Sequence, residues 1–227
     1  MKRIAILLTI VAAAAACTST PEDVAVQAAP PEAAVVEAAG IEEPMTYRIA
    51  PGSKVWFVID EMFRGSPKTV YGVNPKVAAE VVADPSDPSA VALGEVVVKA
   101  AFFDTEPGEE PSPLGDEIGW RDTAINRFIL DSNEYPTITF VPDGPLNLAG
   151  LDEPINVVGD LTVRDTTRKV TFVTAVEIIS DDRVEVTGYA DVRRQDFGLK
   201  IPNVAHVADV SDELRLELDL IFESTDG

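Results

Sequence analysis

The sequence predicts an all-β domain, a barrel or a sandwich, with one short helix. Three observations lead there: apolar residues recur at every second position through the second half of the chain, turn-forming clusters separate these runs, and a single segment repeats at helical spacing. A strand points successive side chains to opposite faces, so a period of two gives one face to a core and the other to water. Many short strands beside one helix is the composition of a barrel or a sandwich.

In chain order, "GEVVVKAAFFD" (94–104) places Val96, Val98, Ala100 and Phe102 on the face away from Lys99. The helical segment follows a loop at 106–115. In "DEIGWRDTAINRFILDS" (116–132), Trp120, Ala124 and Phe128 recur at i, i+4 and i+8, with Ile118, Ile125 and Ile129 near them. Over the mouth of a barrel such a stripe serves as core and pocket wall together. "PTITF" (136–140) then sets Ile138 and Phe140 against Thr137 and Thr139, and "KVTFVTAVEI" (169–178) puts Val170, Phe172, Thr174 and Val176 on one side. In "DRVEVTGYADV" (182–192), Val184, Val186, Ala190 and Val192 oppose Arg183, Glu185, Tyr189 and Asp191. The clearest strand is the last, "DELRLELDLIF" (212–222), where Leu214, Leu216, Leu218, Leu220 and Phe222 alternate with Arg215, Glu217, Asp219 and Ile221. Burying each leucine contributes about 1.5–3 kcal/mol, and a one-residue slip would expose them all, so the register is firmly set. The separating turns are "DPSDPS" (84–89), "PDGP" (142–145), "RDTTR" (164–168) and "SDD" (180–182).

The N-terminal part reads differently. Lys2 and Arg3 precede an apolar run from Ile4 to Val11 and small residues from Ala12 to Ala16, the layout of an export signal over residues 1–16. Its apolar stretch of roughly 13 residues is short of the ~20 that span a bilayer, and no later segment reaches that length. Cys17, the single cysteine, follows directly and forms no internal disulfide. A cysteine after a small-residue zone resembles the bacterial lipobox, in which it becomes the lipidated first residue of the mature chain. Ala14 stands where that pattern prefers Leu, so cleavage at an ordinary Ala-x-Ala site stays open. Residues 17–46 are Ala, Pro, Glu and Val in the main, acidic and proline-broken, and bury too little apolar area to offset their ordering entropy. They read as a disordered linker with an upper reach of about 90 Å. A helix over "PEAAVVEAAG" (31–40) is the alternative. The anchor expected from Cys17 places the protein outside the cytoplasm, on the cell membrane or the outer membrane.

The remaining residues, 47–227, suffice for one domain with a sizeable core. The chain carries a formal net charge of −21, and an acidic surface repels phosphate backbones, so no nucleic-acid partner is expected. Its single histidine, His206, lies in a loop-like stretch, and no G-x-S-x-G elbow or Gly-rich phosphate loop is present. Metal sites built from Cys and His are excluded by their counts. Asp84 with Asp87, and Asp181 with Asp182, match no calcium loop and suit turns. No cofactor and no catalytic constellation is expected, although abundant acids leave a carboxylate pair for hydrolysis open.

Four stretches carry a resemblance: "NEYPTITF" (133–140), "GDLTVRDTTRKVTF" (159–172), "RRQDFGL" (193–199) and "VSDELRLELDL" (210–220), set after "YRIAPGSKVWF". Together they resemble the YceI-like family of bacterial secreted proteins, over essentially all of 47–222. The resemblance implies an eight-stranded antiparallel lipocalin-like barrel that holds a long polyisoprenoid or similar amphiphile in its lumen without catalysis. This chain departs from the pattern in lacking histidines. None occurs over Gly52 to Lys54, Glu61 stands where a strand-end histidine is often found, and Ala124 follows Arg121 and Asp122 in "RDTA". The first hairpin, with "EMFRGSPKTVYGVN", flanks the expected mouth.

The candidate ligand-binding residues are the inward aromatics and aliphatics Phe57, Ile59, Phe102, Trp120, Phe128, Ile138, Phe140, Phe172 and Phe197. An eight-stranded barrel is either filled by its own side chains or just wide enough for one slender ligand, and small inward residues such as Ala100, Thr174 and Ala190 favour a tunnel. Two rivals remain. One is a structural or partner-binding lipoprotein with a filled barrel; the other is a hydrolase using Asp104, Asp116, Asp122 or Glu61 at the mouth. Arg121, Arg193 and Arg194 are available for an anionic head group or for ion pairs with the many acids. The oligomeric state, homodimer included, is left open.

Overall fold

The computed structural model describes residues 41, 43–105, 116–150 and 153–225. The export segment, Cys17, the helix reading of 31–40 and the loop 106–115 lie outside the described residues. Among the described residues, thirteen strands form one antiparallel sheet. They are β1 (Met45–Ile49), β2 (Lys54–Phe63), β3 (Ser66–Asn74), β4 (Val77–Ala78), β5 (Glu80–Asp84), β6 (Asp87–Leu93), β7 (Val96–Lys99), β8 (Thr137–Pro142), β9 (Ile155–Val163), β10 (Thr166–Ser180), β11 (Arg183–Arg193), β12 (Val207–Ala208) and β13 (Glu213–Ser224). One α-helix, α1 (Asp116–Thr123), runs into a wider π-helical turn, Ala124–Ile129, between β7 and β8. Among the described residues no helix is long and apolar enough to cross a membrane.

The alternating pattern sets the register. Leu214, Leu216 and Leu218 of β13 pair with Val192, Ala190 and Gly188 of β11 on one side and with Ile59, Phe57 and Val55 of β2 on the other, all on the inner face. Further along, Phe222 of β13 pairs with Ile49 of β1. β1 passes the sheet to β5 and β2 passes it to β3, while β7 joins β4 to β8, and β8 through β11 follow as neighbours. The sheet is thus strongly curled, a lipocalin-like β barrel with its apolar faces inside. Within it Phe140 meets Phe172 edge to face at 5.2 Å, between strands β8 and β10 that flank β9.

The described strands number thirteen and not the expected eight, and chain breaks separate several of them. Between β1 and β2 stand Pro51 and Gly52, the latter at φ 101°, where a side chain would be strained. Ser53 repairs the ladder there: its hydroxyl donates to the Ala50 carbonyl at 2.9 Å and accepts from Ile221 N–H at 2.8 Å. Pro75, which has no N–H to offer a ladder, divides β3 from β4. Beside it the fully buried Asn74 donates from Nδ2 to the Lys99 carbonyl and accepts on Oδ1 from Lys76 N–H, both at 2.8 Å.

Two expectations about side-chain direction are corrected. The strand ending "AAFF" does not keep its period of two: β7 stops at Lys99, and a 3-10 turn over Ala100–Phe102 advances the phase by one residue. Phe103 is therefore buried and Phe102 only half-buried. Asn126 locks this arrangement by donating to the Phe103 carbonyl at 2.8 Å and accepting from its N–H at 3.2 Å. In the helical segment Trp120 and Phe128 face water, 62% and 61% exposed. The buried side is Arg121, Ala124 and Leu130, with Ile125 packed against the core. The π-helical turn, closed by Leu130 N–H to the Ile125 carbonyl at 2.9 Å, holds one residue more than a regular turn, and Ile129 takes the inward place that uniform helix would give to Phe128. The side chain of Ile118 lies outside the described residues.

Candidate ligand-binding cavity

Curling the sheet with its apolar faces inward encloses a cavity of about 390 Å³. On β11 its wall runs from Val184 to Val192, about 26 Å of strand at ~3.3 Å per residue. The hollow thus extends along most of the barrel. Its walls are overwhelmingly aliphatic and aromatic, and its size lies in the range of small-molecule sites.

Six of the nine expected ligand-binding residues line this cavity: Phe57, Ile59, Ile138, Phe140, Phe172 and Phe197. Phe102 and Phe128 do not, for the reasons of phase given above, and Trp120 does not because α1 turns the Arg121 and Ala124 side inward. Their places are taken by Phe103, Ala124 and Ile129. The wall also draws on residues that lie outside regular strands, which periodicity did not select. Leu146 and Leu148 come from the segment between β8 and β9, and Leu199, Ile201 and Val204 from the one between β11 and β12. The only hint of these is a set of apolar residues in stretches otherwise rich in Pro, Asn and Gly.

Glycines leave room for inward rings carried by the neighbouring strand. A Cβ on Gly72 would run into the Phe57 ring, and one on Gly159 would lie 2.5 Å from Phe140 Cζ and 2.5 Å from the Val141 carbonyl oxygen. Both glycines let an inward phenylalanine lie against backbone.

Charge is concentrated at the two ends. At the end covered by the helical segment, Arg121 Nη2 donates to Glu61 Oε1 at 2.7 Å; both side chains line the cavity and both are buried. The Arg121 guanidinium lies over the Phe63 ring at 5.3 Å. Arg194, also on the wall, donates from Nε to the Ser211 carbonyl at 3.0 Å and from Nη1 to the Leu199 carbonyl at 3.1 Å, fastening the loop that follows β11. Arg193 instead pairs with Asp212 at 3.1 Å on the surface. At the other end Tyr47 donates its hydroxyl to the Asp181 carbonyl at 2.8 Å. Nearby on the wall, the hydroxyl and N–H of Ser86 hold the Asp84 carboxyl below the usual carboxylate range.

The acids considered for hydrolysis do not converge on the cavity as a carboxylate pair. Asp122 accepts from Thr105 N–H at 3.1 Å and Thr105 Oγ1 at 2.7 Å, and burial pushes its carboxyl above the usual range. It does not line the cavity, nor does Asp104, and the side chain of Asp116 lies outside the described residues. Glu61 does line it, but its Oε1 is taken by Arg121. Among the described residues no group of three or more His, Cys, Asp or Glu is placed to hold a metal ion.

An antiparallel barrel with an apolar bore and a polar pair at one end defines a lipocalin-like fold. The profile of the YceI-like domain matches residues 47–222, so the chain belongs to the YceI-like family. Its structure is similar to a polyisoprenoid binding domain from Saccharophagus degradans implicated in plant cell wall breakdown, with a TM-score of 0.58 and 14% identity over 79% of this chain and 99% of that one. It is also similar to BcnA of Burkholderia cenocepacia, with a TM-score of 0.54 and 22% identity over 76% and 98% of the two chains. No curated protein matches the chain by sequence. At these identities the likeness is one of fold. The family resemblance expected histidines near Glu61 and Ala124; here the first position forms an ion pair with Arg121 and the second is a buried cavity wall.

Proposed function

We propose that this protein binds a long isoprenoid or similar amphiphile in the barrel lumen and holds it away from water without catalysing a reaction. The observation that carries the reading is the 390 Å³ cavity with its nearly unbroken apolar wall. A prenyl tail gains about 0.8 kcal/mol per buried CH2 before ordering costs, so a tail of many carbons binds with few polar contacts. The matching family and the polyisoprenoid binding relative support the same ligand class. A barrel filled by its own side chains is disfavoured by the hollow, and a hydrolase because Asp104 and Asp122 stand off the cavity wall while Glu61 is held by Arg121. On this reading the thirteen strands are eight long ones with interruptions, rolled into a sleeve in which β13 seals against β1 and β2.

The reading extends to the N-terminus. Residues 1–16 direct export, Cys17 becomes the lipidated first residue, and 17–46 tether the 47–227 domain to the outer face of a membrane, where amphiphiles with long tails are found. Native mass spectrometry of protein purified from its own host tests the central proposal: a recurrent adduct with the mass of a long-tailed amphiphile is expected, and repeated recovery of the empty protein would sink it. Substituting Cys17→Ser is expected to release the protein from membranes into the soluble extracytoplasmic fraction; unchanged sedimentation with membranes would refute the anchor.

A further inference from the structure

A side chain that lines the cavity and is also exposed to water marks an opening in the wall. Of the wall residues, the exposed ones are Pro85, Pro88, Ile178, Ser180 and Asp181. All five belong to two hairpins, β5–β6 and β10–β11. Strands β1 and β13 join these hairpins into one rim: Met45 pairs with Ala83, Ser224 N–H donates to the Asp182 carbonyl, and Thr225 N–H donates to the Thr46 carbonyl, the last two at 2.9 Å. At the helix end, by contrast, every wall residue of the helical segment and of the loop after β11 is buried or half-buried. The hollow therefore opens on the rim opposite the helix.

That rim carries a greasy lip. The pairing of β10 with β11 shifts by a residue between Ile178 and Ser180, a bulge that interrupts the alternation of faces. Two consecutive isoleucines, Ile178 and Ile179, are left 55% and 49% exposed. Single apolar residues on a surface are ordinary, but this pair is continuous with the apolar wall through Ile178.

The surroundings select what covers the lip. β1 begins at Met45 on this rim, so residues 1–44 join the barrel there and an anchor at Cys17 draws this end, not the helix end, toward a membrane. A tail passing straight from hydrocarbon into the bore avoids exposure to water at about 0.8 kcal/mol per CH2. Charge narrows the surface further. Asp87, Asp181 and Asp182 are exposed on the rim, while Arg183, the cation of the β10–β11 hairpin, is spent on Glu185 and Glu223 at 2.7 Å each. An acidic rim is repelled by anionic head groups and suits a bilayer of little net charge.

We infer that the rim bearing Ile178 and Ile179 seats on a zwitterionic lipid surface and takes the tail directly from it, with the helix end pointing away. The inference rests on the carrier reading for its guest, but the lipid contact itself is measured without one.

In the full chain with Cys17→Ser, a polarity-sensitive fluorophore is attached through Ile179→Cys or through Phe128→Cys, at opposite ends of the barrel, and phosphatidylcholine vesicles containing a quencher-labelled lipid are added. A blue shift and quenching are expected at position 179 and not at position 128, and both are expected to decline as phosphatidylglycerol replaces phosphatidylcholine. An equal or larger response at position 128, silence at both positions, or a response that grows with phosphatidylglycerol overturns the inference and leaves the carrier reading intact. Loading is then followed with dansylated geranylgeranylamine transferred from phosphatidylcholine vesicles. Ile179 and Phe128 are exposed and off the cavity wall, so Ile179→Asp and Phe128→Asp are expected to bind the dispersed probe as the unmodified chain does. Only Ile179→Asp is expected to slow transfer from vesicles, by about 10-fold. Unchanged transfer in that variant also overturns the inference. If the unmodified chain takes up no probe, the carrier reading fails, and the labels alone decide whether the rim meets lipid.

Discussion

Arg121 and Glu61 illustrate how a single side chain acts at this site. Removing the guanidinium leaves the buried Glu61 carboxyl without its partner, so Arg121→Met is expected to destabilise the fold by about 3–5 kcal/mol in urea denaturation, and the double substitution with Glu61→Leu to recover most of that loss. Asp122 makes a pH-dependent contribution. Its carboxyl is raised in the folded state, chiefly by burial, so the stability it adds is present below the unfolded pKa and is lost as pH rises through the folded one. Asn keeps an acceptor for Thr105, and Asp122→Asn is therefore expected to raise the melting temperature at neutral pH, with the gain shrinking toward acid pH. Phase decides the aromatics. Phe103→Ala is expected to cost about 3 kcal/mol and to weaken ligand binding, whereas exposed Trp120→Ser and Phe128→Ser are expected to change stability by no more than ~0.5 kcal/mol and leave binding unaltered.

Among the elements, strands with one wet face were legible because burial imposes a strict period of two: every inward residue read for β10, β11 and β13 faces inside. Elements with irregular turns were not. The 3-10 turn after β7 and the π-helical turn after α1 each shift the phase by a residue, and the hydrogen bonds that stabilise them come from Asn126 and from backbone groups distant in pattern though near in space. Rings that lie over the neighbouring strand depend on glycine in the same hidden way. Gly159→Ala presses a methyl into Phe140 and the Val141 carbonyl, and is expected to cost roughly 1–3 kcal/mol by thermal or urea denaturation. Gly72→Ala is expected to push the Phe57 ring into the bore and so to weaken tail binding more than it weakens the fold.

At the scale of the whole molecule, a ligand that binds only the folded barrel stabilises it by mass action, about 2.7 kcal/mol at a hundredfold excess over its dissociation constant. Extraction of the guest is accordingly expected to lower the melting temperature, and adding back a long-tailed amphiphile to restore it; a melting temperature indifferent to both treatments would mean that the hollow is not a site. The inward faces of β10, β11 and β13, the helical segment and six of the nine expected ligand-binding residues were determined by the sequence alone, because alternation against a core is a local rule that each strand obeys by itself. Only the tertiary structure decided whether the inward faces meet or stand apart. That gap depends on the curl of the sheet and on loops such as the one carrying Leu199 and Ile201, which fold onto the wall from far along the chain. It likewise joined Glu61 to Arg121, sixty residues apart, and so put a matched charge pair with one unused donor at the end of an otherwise greasy bore.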